Sequence, residues 1–230
     1  MKNITYLIIC LIASLLINNV TFSQNFDNNF LFRNADSSSN IVNTNWQFDP
    51  SIFVNIGYGK LLQIAEKKVE ISAGVGSPIF LLKSFDNISL TIDGSTFLLK
   101  DKWNIKSKLG FKYDFFDNTL SKGGNFSTYI SVMPGYFTKK WFAGIDILYR
   151  QQFLTYMKHH DTYKQNFPEA TEGWYENRAG FFYFSAKGGY LFHNKIETTI
   201  RVSYKMPKTL QLYPPFSVAI AAGIGINYYF

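Results

Sequence analysis

Three histidines, His159, His160 and His193, are the residues of this chain best suited to chemistry. His159-His160-Asp161 places two imidazoles and a carboxylate in one short stretch, the donor types of half a metal site or of an acid–base pair. Asp86, Asp114 and Asp117 are the acidic residues that could join that pair in a hydrolytic site. No spacing ties them to the histidines, so the stretch reads as polar surface in an exposed loop. His193, beside Asn194, reads as a solvated turn residue. The single cysteine, Cys10, lies in an apolar leader, so the mature chain is expected to have no disulfide, thiolate nucleophile or cysteine metal site. No catalytic residue, metal ligand or cofactor-binding residue is assigned, and no cofactor is expected.

A second group of residues could act through charge. Lys106, Lys108, Lys112, Arg150, Lys187, Arg201 and Lys205 stand against Glu70, Asp93, Asp114, Asp146 and Glu197. They fall on alternate positions of segments whose other positions are apolar or aromatic, which places them on one face of a series of β-strands.

Those strands account for the composition. The 230 residues are 47% hydrophobic and 17% charged, and aromatics reach 18%, with 23 Phe and 15 Tyr. Charge is below the ~25% typical of soluble domains. A mean hydropathy of −0.06 is too polar for a helical membrane protein. Residues 1–23 read as a cleavable export leader: Lys2 is the positive end, 4–17 is the apolar core, and Thr21 and Ser23 are small residues at a cut before Gln24. The core is shorter than the ~20 residues of a spanning helix. Ile9, ahead of Cys10, is not the small residue a lipoprotein signal needs. Residues 24–230 then form one domain.

Period-two alternation runs through it. From Phe216 the even positions are Phe216, Val218, Ile220, Ala222, Ile224, Ile226, Tyr228 and Phe230, against mostly small or polar odd positions. Trp103, Ile105, Leu109, Phe111 and Tyr113 alternate with Asn104, Lys106, Lys108, Gly110 and Lys112. Ile196 to Met206 alternates in the same way with Glu197, Arg201 and Lys205. Weaker or shorter runs occur at 41–48, 52–58, 69–75, 88–92, 126–132, 141–150 and 182–190. A soluble lipocalin-like barrel would share the period but put its apolar face inside. Aromatic placement favours the opposite sense, because Trp103, Trp141, Phe192, Tyr204, Phe216, Tyr228 and Phe230 sit at or near strand ends, where the interfacial girdles of a barrel in lipid belong. Connections also alternate. Those at 207–215, 154–178, 116–124 and 80–87 read as long, and those at 193–195, 138–139, 100–101 and 63–67 as short. The fold expected is all-β, an antiparallel up-and-down transmembrane barrel of ten strands, with eight as the alternative. The opening strand is 41–48 or 26–33.

At this point the chain resembles the small bacterial outer-membrane β-barrel proteins over about residues 41–230. The most specific element is the ending Ile224-Gly225-Ile226-Asn227-Tyr228-Tyr229-Phe230. The resemblance implies that Tyr228 and Phe230 form the signal read by the barrel-assembly machinery of a Gram-negative cell, with the C-terminus in the periplasm and the longer loops outside. No plug domain is expected before the barrel, and no peptidoglycan-binding extension after Phe230. Barrel proteases of ten strands carry a His/Asp pair facing an acidic pair, and lipid A deacylase barrels carry His-x-Ser. No His-x-Ser occurs here. Barrels of this size serve many purposes, so the class does not name the job.

Three roles follow from the residues. Lumen charges such as Asp146, Arg150, Lys187, Glu197 and Arg201 are expected to neutralise one another in a closed interior, which makes the protein structural or surface-interacting. An open lumen with seven basic and five acidic residues would be a narrow pore with a mild preference for anions. A barrel hydrolase is the third. Tyr156, Tyr163, Phe167, Trp174 and Tyr175 in loop 154–178 either pack over the barrel mouth or meet a surface ligand. The net charge of +7 is spread rather than gathered, so nucleic-acid binding is unsupported. The pairs Lys67-Lys68 and Lys139-Lys140 read as turn residues near lipid headgroups. The partners expected are outer-membrane lipid and the assembly machinery, for a monomeric barrel.

Overall fold

A strand with alternating polar and apolar residues has two unlike faces, and a row of such strands makes a sheet with one polar and one apolar side. In the computed structural model of this chain that sheet closes on itself. The structure describes residues 40–49, 51–79, 87–99, 101–117, 120–193, 195–207 and 220–230. The leader at 1–23, the alternative opening strand at 26–33, Asp86 and Phe216 lie outside them.

The elements are β1 (Asn40–Asp49), β2 (Ser51–Ile64), β3 (Lys67–Pro78), β4 (Ser89–Phe97), β5 (Trp103–Asp117), β6 (Ser121–Phe137) and β7 (Trp141–His159). They continue as the short helix α1 (Asp161–Asn166), then β8 (Gly173–Glu176), β9 (Gly180–Phe192), β10 (Ile196–Pro207) and β11 (Ile220–Tyr229). All pairings are antiparallel between chain neighbours, except that β7 pairs with β9 past the short β8. Closure comes from β1 against β11, running from Ile41 opposite Tyr229 to Phe48 opposite Ala222. Ten strands therefore form the barrel wall, and β8 is an eleventh that pairs only with the top of β7. Eight strands are excluded because β1 and β2 are both paired into the wall.

At one end the connections are short: 65–66, 98–102, 138–140 and 193–195. Ala65 and His193 sit there in the left-handed region, and His193 is exposed as a turn residue. Two of the expected long loops shrink. Pairing of β5 with β6 continues to Asp117 opposite Lys122, so 116–124 reduces to residues 118–120. Residues 154–159, read as loop, continue β7 and pair with 121–126. The 17 residues of β6 and 19 of β7 thus rise on one side of the barrel well above the 9 of β4.

The sense of the two faces decides the solvent. Ile92, Leu109, Phe111 and Ile200 are 60–66% exposed on the outside, whereas Lys106, Lys112 and Glu197 are at most 2% exposed inside. A water-soluble barrel would bury the first group and expose the second. Aromatics ring the apolar band at both ends. At the short-turn end Tyr136 lies 5.3 Å from Trp103 and 5.4 Å from Trp141, ring centre to ring centre, and Tyr228 stacks on Phe230. Toward the other end Tyr113 meets Phe126 at 4.6 Å and Tyr149 meets Phe182 at 4.8 Å. Along β5 the residues from Trp103 to Tyr113 span about 33 Å of strand, or about 25 Å along the axis at a tilt of ~40°, which matches the apolar band of a transmembrane barrel.

Glycines on the inner face make room for the large side chains beside them. A Cβ at Gly110 would collide with the ring of Tyr129, its direct partner on β6, and one at Gly189 would collide with Phe142, its partner on β7. Gly110→Ala should therefore lower the urea midpoint of the folded barrel by the equivalent of about 1–3 kcal/mol, the usual cost of overpacking. Gly94→Ala, where a Cβ would find its nearest neighbour 3.8 Å away, should leave the midpoint unchanged.

Candidate functional site

The lumen face gathers the charged residues in two tiers. Next to the short-turn end, Glu70 of β3 accepts from Ser95 at 3.1 Å and lies 3.9 Å from Lys106. On the opposite wall Glu197 of β10 accepts from Asn227 at 3.0 Å and from Tyr229 at 2.8 Å, while Asp146 of β7 takes Lys187 of β9 at 2.7 Å and the hydroxyl of Ser131. Higher up, Asp93 of β4 holds Lys108 at 3.1 Å, Tyr129 at 2.8 Å and Ser72 at 2.7 Å. Asp114 of β5 is clasped by Lys112 at 2.8 Å and by Arg150 from β7, whose Nε donates to Ser127 at 2.9 Å. Lys205 lies over the ring of Phe181 at 4.4 Å, a cation–π contact that lets a charge sit among aromatics. Arg201 stands in register between Lys187 and Gly223.

Lys106, Lys108, Lys112, Asp146, Arg150, Lys187, Glu197 and Lys205 are buried on the inner side of their strands, and Arg201 is half-buried there. Their pairing differs in detail from the expected network. Asp146 does meet Lys187, but Arg150 reaches across β6 to Asp114, and Glu197 is held by an amide and a phenol. Charge-assisted hydrogen bonds of this kind satisfy buried carboxylates whose desolvation would otherwise be costly.

Below the charges lies a feature that the alternation conceals. Ile41, Leu61, Phe97, Met133, Phe137, Phe142, Leu191 and Tyr229, all at most 8% exposed, gather into one cluster inside the short-turn end. They come from β1, β2, β4, β6, β7, β9 and β11. Phe137 stacks on Phe142 at 5.8 Å and meets Phe97 edge-on at 5.0 Å. A smaller cluster of Tyr129, Leu148, Phe181 and Tyr183 lies toward the opposite mouth.

At that mouth the His/Asp idea receives a partial answer. His160 Nε2 lies 2.8 Å from Asp117 Oδ1, tying the start of α1 to the end of β5. Asp114, however, is committed to Lys112 and Arg150, so it does not supply a second free carboxylate. Among the described residues no three His, Cys, Asp or Glu side chains gather as a metal site requires. Aromatics of the expected loop divide between two places. His159, Tyr163 and Phe167 stack in sequence at 4.6 and 4.9 Å, and Trp174 packs on Tyr156 and Phe126 at 5.1 and 6.0 Å. Phe167 and Trp174 remain 57% and 58% exposed. Lys164 and Glu172 clasp the hairpin at 2.7 Å; that hydrogen bond holds the Glu172 carboxyl below its ordinary range and lifts the Lys164 ammonium above its own.

No protein-family profile matches the sequence, and no curated protein does. Among solved structures, an outer-membrane channel from Pseudomonas putida F1 superposes with a TM-score of 0.52 at 8% identity, covering 91% of this chain and 100% of that one. The chain has the fold of a bacterial outer-membrane β-barrel. The N-terminal β-barrel domain of Pseudomonas aeruginosa OprF also aligns, at 11% identity over 84% of this chain and 98% of its own, with a TM-score of 0.36. At such identities the likeness is one of architecture, and what the lumen does must be argued from its own residues.

Proposed function

We propose that this protein is an integral outer-membrane barrel with a closed lumen, serving a structural or surface-interacting role. The observation that carries the reading is the stack of an apolar floor beneath paired charges. The floor residues are apolar apart from the Tyr229 hydroxyl, which is already given to Glu197, and the carboxylates above hold basic or hydrogen-bonding partners. The short-turn end, with Tyr228 and Phe230 on its outer surface, faces the periplasm and is the end read by the assembly machinery. The taller wall of β6, β7 and β8 then stands above the outer surface and presents Trp174 and Phe167 to whatever ligand the cell surface offers.

Refolded protein in a planar bilayer should be silent across voltages, and on a detergent gel it should run faster unheated than boiled. Discrete conductance steps would replace this reading with the second one, a narrow anion-preferring pore. That alternative draws on the seven basic and five acidic lumen residues, and on the P. putida protein being described as a channel. Under the pore reading Glu197→Gln would shift ion selectivity, whereas in a packed lumen it alters only stability. Purification as a soluble protein without detergent would overturn both.

A further inference from the structure

The short-turn rim and the long hairpin at the opposite mouth differ in charge among the described residues. Among the described residues, the four short turns and the first residues of β3 carry Lys67, Lys68, Lys102, Lys139, Lys140 and Lys195 against only Glu66 and Asp101, a balance of +4. Each of these turns bears or adjoins at least one lysine, so the charge encircles the rim instead of forming one patch. All six are exposed except Lys68, which is half-buried on the inward-facing side of β3 that it shares with Glu70, and which adds to the rim's charge from within. The opposite mouth is different. Its hairpin from 158 to 178 holds Lys158, Lys164 and Arg178 against Asp161, Glu169, Glu172 and Glu176, a balance of −1.

The aromatic girdle runs immediately inside the lysines. Trp103 follows Lys102, Trp141 follows Lys140, and the two rings flank Tyr136 at the polar–apolar boundary. Ammonium groups just outside such a boundary are at the depth of lipid phosphates, and each basic residue near an anionic surface adds binding energy that falls off within a Debye length. We infer that the short-turn rim is a headgroup collar selective for anionic phospholipid, which fixes that end of the barrel in a phospholipid leaflet. The inference rests on the membrane reading above and adds the lipid class.

The four tryptophans allow each rim to be read separately. Trp103 and Trp141 lie at the collar, Trp46 lies toward the other end of the apolar band, and Trp174 stands above that band on β8. Two variants, W46F/W174F and W103F/W141F/W174F, would be folded into phosphatidylcholine vesicles containing brominated phosphatidylglycerol or brominated phosphatidylcholine. In the first variant the collar tryptophans should favour the brominated anionic lipid about three- to tenfold over the zwitterionic one. The preference should approach unity at about 1 M salt and on replacing the six lysines with glutamine. In the second variant the two lipids should quench equally. Equal quenching at the collar, or the same preference at both rims, overturns the collar. Absence of quenching by either lipid instead overturns the membrane reading itself. Should the lysine variant fail to fold, the salt titration on the native rim decides alone.

Discussion

Asp114→Ala should cost the folded barrel about 3–5 kcal/mol, read as a fall in the urea midpoint at unchanged slope. The carboxylate accepts Lys112 at 2.8 Å and Arg150 from two strands away, and the two basic side chains are only 0% and 4% exposed. Removing it leaves two like charges buried side by side without the carboxylate that neutralises them, although Arg150 Nε still donates to Ser127. The same substitution discriminates between a packed and a wet lumen. In a water-filled pore the orphaned cations would be hydrated and the pair would be worth only about 0–1 kcal/mol, as exposed ion pairs are. A control tests that the loss arises from the uncompensated charge and not from volume. Asp114→Leu combined with Lys112→Met and Arg150→Met replaces the whole triad by apolar groups, and should recover most of the stability. If the single variant unfolds at the wild-type midpoint, the lumen is wet and the closed reading fails.

The alternation made the wall, its sense and its strand number legible, because period two survives in any one strand without knowledge of its neighbours. Ile196 to Met206 shows this most clearly, with every odd position from Glu197 to Lys205 facing inward as the sequence places it. The top of β7 was not legible. Register shifts between Phe126 and Ser127, with Phe153 as the extra residue on β7, so the inward set passes from Gln152 to Thr155 and the period changes phase. A pattern that changes phase reads as the end of a strand. Likewise Ser121 to Gly124 has the composition of a turn, and only pairing with 156–159 on one side and 115–117 on the other makes it strand.

Partner choice inside the lumen was legible only where it is local. Lys112 and Asp114 are two apart on one face of β5, and their contact follows from the period. Arg150 reaching Asp114 over β6 depends on side-chain length and barrel curvature, which no single segment encodes. The floor was hidden for a related reason. Each strand contributes one or two apolar residues to a face otherwise polar, as Met133 and Phe137 do on β6 or Leu191 on β9. In one strand such a residue is an imperfection of the pattern. At a common height in seven strands those residues form a cluster, and only the register reveals the height.

That cluster gives the prediction with the largest change of behaviour. Phe137→Ala with Phe142→Ala removes two stacked rings, 3% and 2% exposed, from the floor. Phe142 also fills the space over Gly189, so its loss opens a path beside β9 as well as one in the centre. A constriction lined by hydrocarbon excludes ions by excluding water, and widening it past wetting lets both enter. The silent barrel should then show discrete conductance steps, with anions favoured by the seven-to-five excess of basic over acidic residues above the floor. Truncation of two buried rings also costs stability, of order 3–5 kcal/mol each where the cavity stays dry and less where water enters it. The heat-dependent gel shift must therefore confirm that the variant is folded before its silence or activity is interpreted. Phe182→Ala, which removes a ring from the lipid-facing side of β9, should leave the bilayer silent. If the folded double variant conducts no better than the wild type, the floor is not what closes the lumen. The barrier then lies in the charge tiers, where Asp114→Ala and Glu197→Gln would be the substitutions to open it.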